Sequence, residues 1–346
     1  MSGGVDSSVA AALLVHQGYE VIGMMLRLWT EPGKEGSNRC CTPEAMALAR
    51  RVCARLGIPF YAIDAQEVFY NQVVTSFIDG YAQGITPNPC LVCNRQVRWD
   101  FLLKRALALE ADYMATGHYA RASHAQNDSI CLMRAVDRQK DQSYVLHVLD
   151  QEQLSHALFP IGEFTKPQVR QLARDYTLPV ADRQESQDLC FLADEDYREF
   201  LKRYSLSSST RGPIQNLRGK ILGTHQGLAS YTIGQRKGLG IASPQPMYVL
   251  RKDIENNILI VGGQEELGIK ELIACEVNWI SGTAPASPFR AQVKIRYKAS
   301  DAWGKVFSLG ENDARVLFDE PLRDITPGQA AVFYEGDVCL GGGIIQ

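Results

Sequence analysis

No run in this chain reaches the roughly 18 apolar residues that a membrane-crossing helix requires. Its first residues also lack the basic-then-apolar leader of an exported protein. Neither a membrane partner nor an oxidising compartment is therefore expected. An excess of positive charge is missing too: 36 Lys and Arg stand against 39 Asp and Glu, for a formal net charge of −3. A nucleic acid would then have to be held by a local basic patch rather than by the field of the whole molecule. No internal repeat is present. Cys90-x-x-Cys93 has no second Cys-x-x-Cys or His pair to complete a four-ligand zinc site. Nine cysteines, an odd number without a leader, point to the cytosol and to reactive or buried thiols. Hydrophobic residues at 45% and charged residues at 22% describe a globular chain, and 346 residues suffice for two or three domains.

What is present begins at once, with Ser2-Gly3-Gly4-Val5-Asp6-Ser7-Ser8. Paired glycines let a backbone turn tightly and approach phosphate oxygens. Hydroxyls and the N–H groups of a following helix supply donors and partial positive charge for an anion. Residues 9–15 are good helix formers, and Gly18 can close that helix. The Gly-Lys-Ser/Thr ending of a Walker loop is absent. The run resembles the pyrophosphate-binding loop of ATP-pyrophosphatases, which cut ATP to AMP and pyrophosphate and activate a substrate oxygen as an adenylate. The bland alternative is a serine–glycine N-cap turn without a ligand. A buried strand should feed such a loop, so the expectation is an N-terminus further upstream or a first strand absent from this sequence.

Strand and helix signals alternate through the first half. Residues 19–28, 58–63 and 113–116 read as strands. Thr42, Pro43 and Gly57 bracket one helix, and 68–81 forms another. This alternation predicts an α/β fold: a doubly wound parallel-sheet nucleotide-binding domain with ligands at the carboxyl ends of the strands. A polar stretch at 205–210 reads as a linker, followed by short runs at 247–251 and 258–261. Alternating strands at 274–279, 291–297, 315–318 and 329–334 predict a C-terminal β-barrel or sandwich. Within 293–298, alternation puts Lys294, Arg296 and Lys298 on one face, suited to phosphates, and Val293, Ile295 and Tyr297 on the other. Gln235-Arg236-Lys237-Gly238 is a second basic, glycine-flanked element.

Two segments carry thiols. In Thr86-Pro87-Asn88-Pro89-Cys90-Leu91-Val92-Cys93-Asn94-Arg95, the prolines make a stiff turn, and Arg95 and Arg98 can favour a thiolate at Cys93. A redox dithiol and structural cysteines remain alternatives there. In Ser186-Gln187-Asp188-Leu189-Cys190-Phe191, a buried inert thiol is the plain alternative. These blocks stand in order with Ala115-Thr116-Gly117-His118-Tyr119, Lys140-Asp141-Gln142-Ser143-Tyr144, Thr232-Ile233-Gly234-Gln235-Arg236-Lys237-Gly238-Leu239-Gly240 and Thr326-Pro327-Gly328-Gln329-Ala330. Together they resemble the bacterial tRNA-specific 2-thiouridylases, end to end.

That resemblance implies three domains, at 1–196 (adenylating), 197–270 (central, tRNA-contacting) and 271–346 (β-barrel). It implies ATP with Mg²⁺, a tRNA substrate whose wobble uridine becomes 2-thiouridine, and a sulfur-relay or cysteine desulfurase partner. Cys190 would carry a persulfide and Cys93 would be the nucleophile, leaving a Cys93–Cys190 disulfide for a reductant to open. Met1, Ser2, Gly3, Gly4, Val5, Asp6, Ser7, Ser8, Leu26 and Gly117 match ATP-binding positions. Asn88, Pro89 and Cys90 match the stretch at the target base. His118, Lys140, Asp141, Gln142, Arg296, Tyr297 and Gln329 match tRNA contacts; read alone, they are a turn histidine, a surface charge run and a strand edge. The family commonly has Asp where Cys90 stands, a carboxylate that could help move a proton. Three cysteines also raise an iron–sulfur cluster as the less favoured alternative to the two-thiol route; no metal ligand is assigned. An amidating ligase would need no paired loop cysteines. A non-catalytic RNA-binding module would need neither the intact loop nor both thiols.

Overall fold

The computed structural model describes residues 1–34, 42–125, 129–184, 189–192, 195–204 and 210–346. The expected linker, apart from Thr210, lies outside the described residues, as do Ser186, Gln187 and Asp188 of the second cysteine segment. The first helix, α1 (Val5–His16), has almost no polar face, and residues 8–14 are buried as that composition requires. The second, α2 (Pro43–Leu56), is bracketed as the sequence predicts. Thr42 accepts from the Ala45 N–H at 3.1 Å, and Gly57 ends the helix in the left-handed region.

The parallel sheet appears as two separate pairs. One joins β1 (Gly23–Arg27) to β2 (Phe60–Asp64). The other joins β3 (Met114–Ala115) to a later strand, after a hairpin of β4 (Ala120–His124) and β5 (Ile130–Arg134). That later strand is β6 (Ala157–Leu158). Two long helical stretches, 66–82 and 89–107, widen to i→i+5 bonding over Tyr70–Val74 and Cys93–Leu102.

The central unit is a four-stranded sheet of β7 (Gly212–Asn216), β8 (Ile221–His225), β9 (Tyr248–Asp253) and β10 (Ile258–Gly262), in the order β8-β7-β10-β9. The C-terminal strands are β11 (Ile269–Trp279), β12 (Phe289–Lys294), β13 (Ala302–Leu309), β14 (Asp313–Leu322), β15 (Ala330–Glu335) and β16 (Val338–Ile345). They run in the order β11-β14-β13-β12-β15-β16, and β16 pairs back onto β11, so the barrel expected from the strand spacing is closed.

The barrel is welded to the first domain. Met133 and Leu132 of β5 pair with Val338 and Cys339 of β16, extending the sheet across the boundary. The apolar run of β15 follows from this. Ala331 and Phe333 point into the barrel core with Val293, Val316 and Trp279, whereas Ala330, Val332 and Tyr334 face Leu132, Tyr144 and Trp99 of the first domain. A strand buried on both faces has no reason to alternate. The basic face expected at 293–298 is corrected here. Strand β12 stops at Lys294, which is buried beside Asp141 and Asp301, so of the three cations only Arg296 and Lys298 reach the surface.

His147 is buried at this weld. Its Nδ1–H donates to the Tyr144 carbonyl at 2.7 Å, and Asn278 donates to the carbonyls of His147 and Leu149. Burial lowers its pKa to about 4, the Tyr144 bond opposing and Arg95 assisting. A folded-state pKa below the ordinary 6.5 means that folding favours the neutral ring. The resulting stability is complete above pH 6.5 and drains as the pH falls towards 4. Between pH 7 and pH 5 it amounts to about 2 kcal/mol. Urea titrations at the two pH values should show His147→Gln losing much of the wild-type pH dependence; identical slopes would contradict a neutral buried ring.

Candidate active site

Gly4 caps α1 without bringing a side chain to its first turn, and Gly3 before it has φ +67°. The loop is braced internally. The Ser2 and Ser7 hydroxyls lie 3.1 Å apart, the Ser2 N–H donates to Ser7 Oγ at 3.1 Å, and Ser8 donates to the Gly4 carbonyl at 2.7 Å. Ser2 stays exposed while Ser8 is buried beneath it. Met1 packs against the apolar groups under the loop, and its amine donates to the Met24 carbonyl of β1.

Three later segments converge on this turn. Gly117, just past β3, lies against it so closely that a Cβ there would sit 2.6 Å from the Ser7 nitrogen and 2.7 Å from the Asp6 carbonyl carbon. Asp6 accepts from the Tyr119 hydroxyl at 2.9 Å and from Lys166 Nζ at 2.7 and 2.8 Å. Arg183, seven positions before Cys190, donates to the Gly3 carbonyl of this turn at 2.5 Å.

The thiols share one apolar cluster. Asn88 caps the helix that follows Thr86-Pro87 by accepting from the Cys90 N–H at 3.1 Å, with Pro89 buried in the first turn. One turn on, Cys93 is buried among Phe69, Phe77 and Val97, while Cys90 stays exposed. Phe191 plugs into the same cluster, edge-on to Phe69, Phe77 and Phe200 at 6.0, 5.2 and 5.6 Å. That anchor leaves Cys190 half-buried on the cluster, together with Leu26 of β1. Full burial thus falls on Phe191 and Leu192, while Cys190 stays half-buried.

Behind Cys190 an ionic clasp closes the segment. Arg203 grips Glu31 with two bonds of 2.7 Å and Glu195 with bonds of 2.8 and 2.6 Å, and Lys34 reaches Glu195 at 2.6 Å. Hydrogen bonds from Arg203 and Lys34 pull the Glu195 carboxyl down to about 2. Among the described residues no group of three His, Cys, Asp or Glu side chains is arranged to hold a metal.

Residues 1–194 match the family described as the tRNA methyl transferase HUP domain, 198–263 the tRNA methyl transferase PRC-barrel domain, and 269–345 the aminomethyltransferase β-barrel domain. The tRNA-specific 2-thiouridylase MnmA of Symbiobacterium thermophilum is 48% identical over 355 residues, covering 100% of this chain and 90% of that protein. Its counterpart in Acetivibrio thermocellus is 46% identical over 350 residues, covering 100% and 98%. That of Carboxydothermus hydrogenoformans is 48% identical over 350 residues, covering 100% and 96%. The chain belongs to the tRNA-specific 2-thiouridylase family.

The positions matched to tRNA contacts in the thiouridylase family fall into two groups. Lys140, Arg296 and Tyr297 are half-buried near the surface, the last two just past the end of β12. A strand end there is what contact by both neighbours would require. The others are engaged inside. The Asp141 carboxylate is buried and accepts from the Ala135 N–H and from the Ser143 N–H and hydroxyl, so it shapes the turn rather than facing solvent. Gln142 accepts from the Tyr119 N–H at 2.9 Å, and the Gln329 amide donates to the Thr86 carbonyl at 2.8 Å. His118 meets the Thr116 hydroxyl at 2.8 Å, and burial, with Arg98 nearby, lowers its pKa to about 3, keeping it neutral. Arg236 and Lys237 stand exposed on the central domain.

Sequence reasoning missed Tyr119, Lys166 and Arg183 as members of the site. Lys166 opens a helix as an ordinary first-turn residue, and nothing local ties it to an aspartate 160 positions away. Gly117→Ala should cost ATP binding at least tenfold, because the loop backbone has to move to admit the methyl group. Equilibrium dialysis with ATP, beside an unchanged circular dichroism spectrum, checks this; wild-type affinity would contradict the packing argument.

Proposed function

We propose that this chain is a tRNA-uridine 2-sulfurtransferase of the cytosol, using ATP, tRNA and sulfur delivered as a persulfide by a partner protein. The observation that carries the reading is the convergence of Cys93, Cys190 and Leu26 on one apolar cluster, with Arg183 bonded to Gly3 of the Ser2 to Ser8 turn. A dry wall beside an anion-binding turn suits a reaction that must keep water from an adenylated base.

In the proposed sequence, the C2 oxygen of the wobble uridine attacks the α-phosphorus of ATP and pyrophosphate leaves, with the Ser2 to Ser8 turn and the start of α1 holding the phosphates. A magnesium ion would travel with those phosphates; both Asp6 oxygens are engaged by Lys166. The terminal sulfur of a Cys190 persulfide then attacks C2, and AMP departs with the original oxygen. The Cys93 thiolate next attacks Cys190 Sγ. That sulfur–sulfur bond breaks, the outer sulfur stays on C2 as the thiocarbonyl, and a Cys93–Cys190 disulfide forms. A dithiol reductant supplies two electrons and two protons to restore both thiols. Asn88, Pro89 and Cys90 would border the target base, and Arg296, Tyr297, Lys140 and the exposed Arg236-Lys237 turn would meet the tRNA. Domain boundaries at 196/197 and 270/271 belong to the same proposal. With a thiol at Cys90 where the family commonly has Asp, either that proton transfer is dispensable or another group supplies it. The persulfide route is preferred over an iron–sulfur cluster because it needs only Cys93 and Cys190.

Cys93→Ser and Cys190→Ser should each abolish 2-thiouridine while leaving ATP affinity within about threefold and tRNA-dependent AMP formation measurable. Nucleoside analysis of the tRNA, run beside a pyrophosphate-release assay, reads both. Thiolation by either variant would overturn the two-thiol assignment, and absence of tRNA-dependent AMP in the wild type would overturn the adenylation step.

A further inference from the structure

An anion-binding turn that carries its own carboxylate poses an electrostatic problem. Asp6 lies in the first turn of α1, where its charge competes with any phosphate for the positive end of the helix. Unneutralised, it would repel the polyphosphate that the loop is shaped to receive. Lys166 answers that problem geometrically. Its Nζ sits 2.7 and 2.8 Å from the two Asp6 oxygens, and the residue is only 8% exposed. The ammonium also lies 5.7 Å from the Tyr119 ring centroid, and the Tyr119 hydroxyl donates to the same carboxylate.

Lys166 is fixed by its own backbone. Its N–H donates to Asp137 at 2.8 Å, Thr165 caps the helix it opens, and Val169 one turn later packs in the cluster under α1 with Val5 and Tyr119. A lysine held this way is a built part of the loop, although it arrives from a different helix. We propose that Lys166 is a positioning residue for the nucleotide: it neutralises Asp6 and turns its carboxylate aside, so that the triphosphate can settle on the Ser2 to Ser8 turn. This rests on the reading of that turn as the ATP site.

The test measures ATP binding by calorimetry on the full chain without tRNA, at low and at high salt, with melting curves to verify the fold. Lys166→Gln keeps a hydrogen-bond donor but removes the charge, and should weaken ATP binding tenfold or more, with the larger loss at low salt. Lys166→Arg should stay within about threefold of wild type. Asp6→Asn combined with Lys166→Gln should bind ATP at least threefold more tightly than Lys166→Gln alone, since the repelling charge is gone. A purely structural lysine would show neither the salt dependence nor the rescue. Should Lys166→Gln fail to fold, Lys166→Met is measured in its place against the same double-variant comparison. Wild-type affinity in the neutral variants, or a double variant no better than the single, would overturn the proposal. Failure of wild-type protein to bind ATP would instead overturn the reading of the loop.

Discussion

The catalytic end of this molecule depends on a tight joint between the barrel and the turn that leads to Cys93. The Thr86 N–H donates to the Pro327 carbonyl at 2.9 Å, and the Gln329 amide donates back to the Thr86 carbonyl at 2.8 Å. Gly328, at φ +89°, lies so close that a Cβ would meet the Thr86 oxygen, carbon and nitrogen at 2.9, 3.0 and 3.1 Å. Arg296 locks the other side by donating to the Thr326 hydroxyl and, at 3.2 Å, to the Ile233 carbonyl of the central domain. All three domains thus meet within a few residues of the helix that bears Cys93. One backbone bond, the Gln329 amide and the close approach of Gly328 hold that turn more stiffly than exposed ion pairs would.

Electrostatics does local work that the overall charge conceals. A chain of net charge −3 still gathers Lys166 and Arg183 at the phosphate turn, Lys34 and Arg203 behind Cys190, and Arg296 beside the joint. Each cation is matched to a carboxylate or a carbonyl, so these groups fix the geometry of loops. The exposed Arg236 and Lys237 are the kind of charge left for an RNA backbone.

Much of this architecture could be read from the chain because local chemistry and tertiary demand agree. The Thr42-Pro43 start of α2, the alternation of β14 and the two-sided apolar run of β15 each carry their own signal. Strand β16 did not announce itself, since Gly341, Gly342 and Gly343 read as a breaker. Its glycines answer to neighbours instead: a Cβ on Gly342 would meet both the Ala331 carbonyl and the His147 ring at 2.8 Å. The hairpin of β4 and β5 was equally silent, because its partner is a barrel strand some two hundred positions away. Motifs singled out Cys93, Cys190 and the Ser2 to Ser8 turn as candidates, and the structure brings Cys93 and Cys190 onto one apolar cluster. Which side chains support them, and that Asp141 and Lys294 face inward, depends on contacts between distant segments.

The barrel turn holds the Cys93 helix in register with the Ser2 to Ser8 turn, and Gly328→Ala tests that hold most directly. Single-turnover thiolation of tRNA should fall at least tenfold, since a displacement of about 1 Å at a reacting group costs rate on that scale. ATP affinity should stay within about threefold, because the phosphate turn lies on other segments. Undiminished thiolation by a folded Gly328→Ala protein would contradict the account.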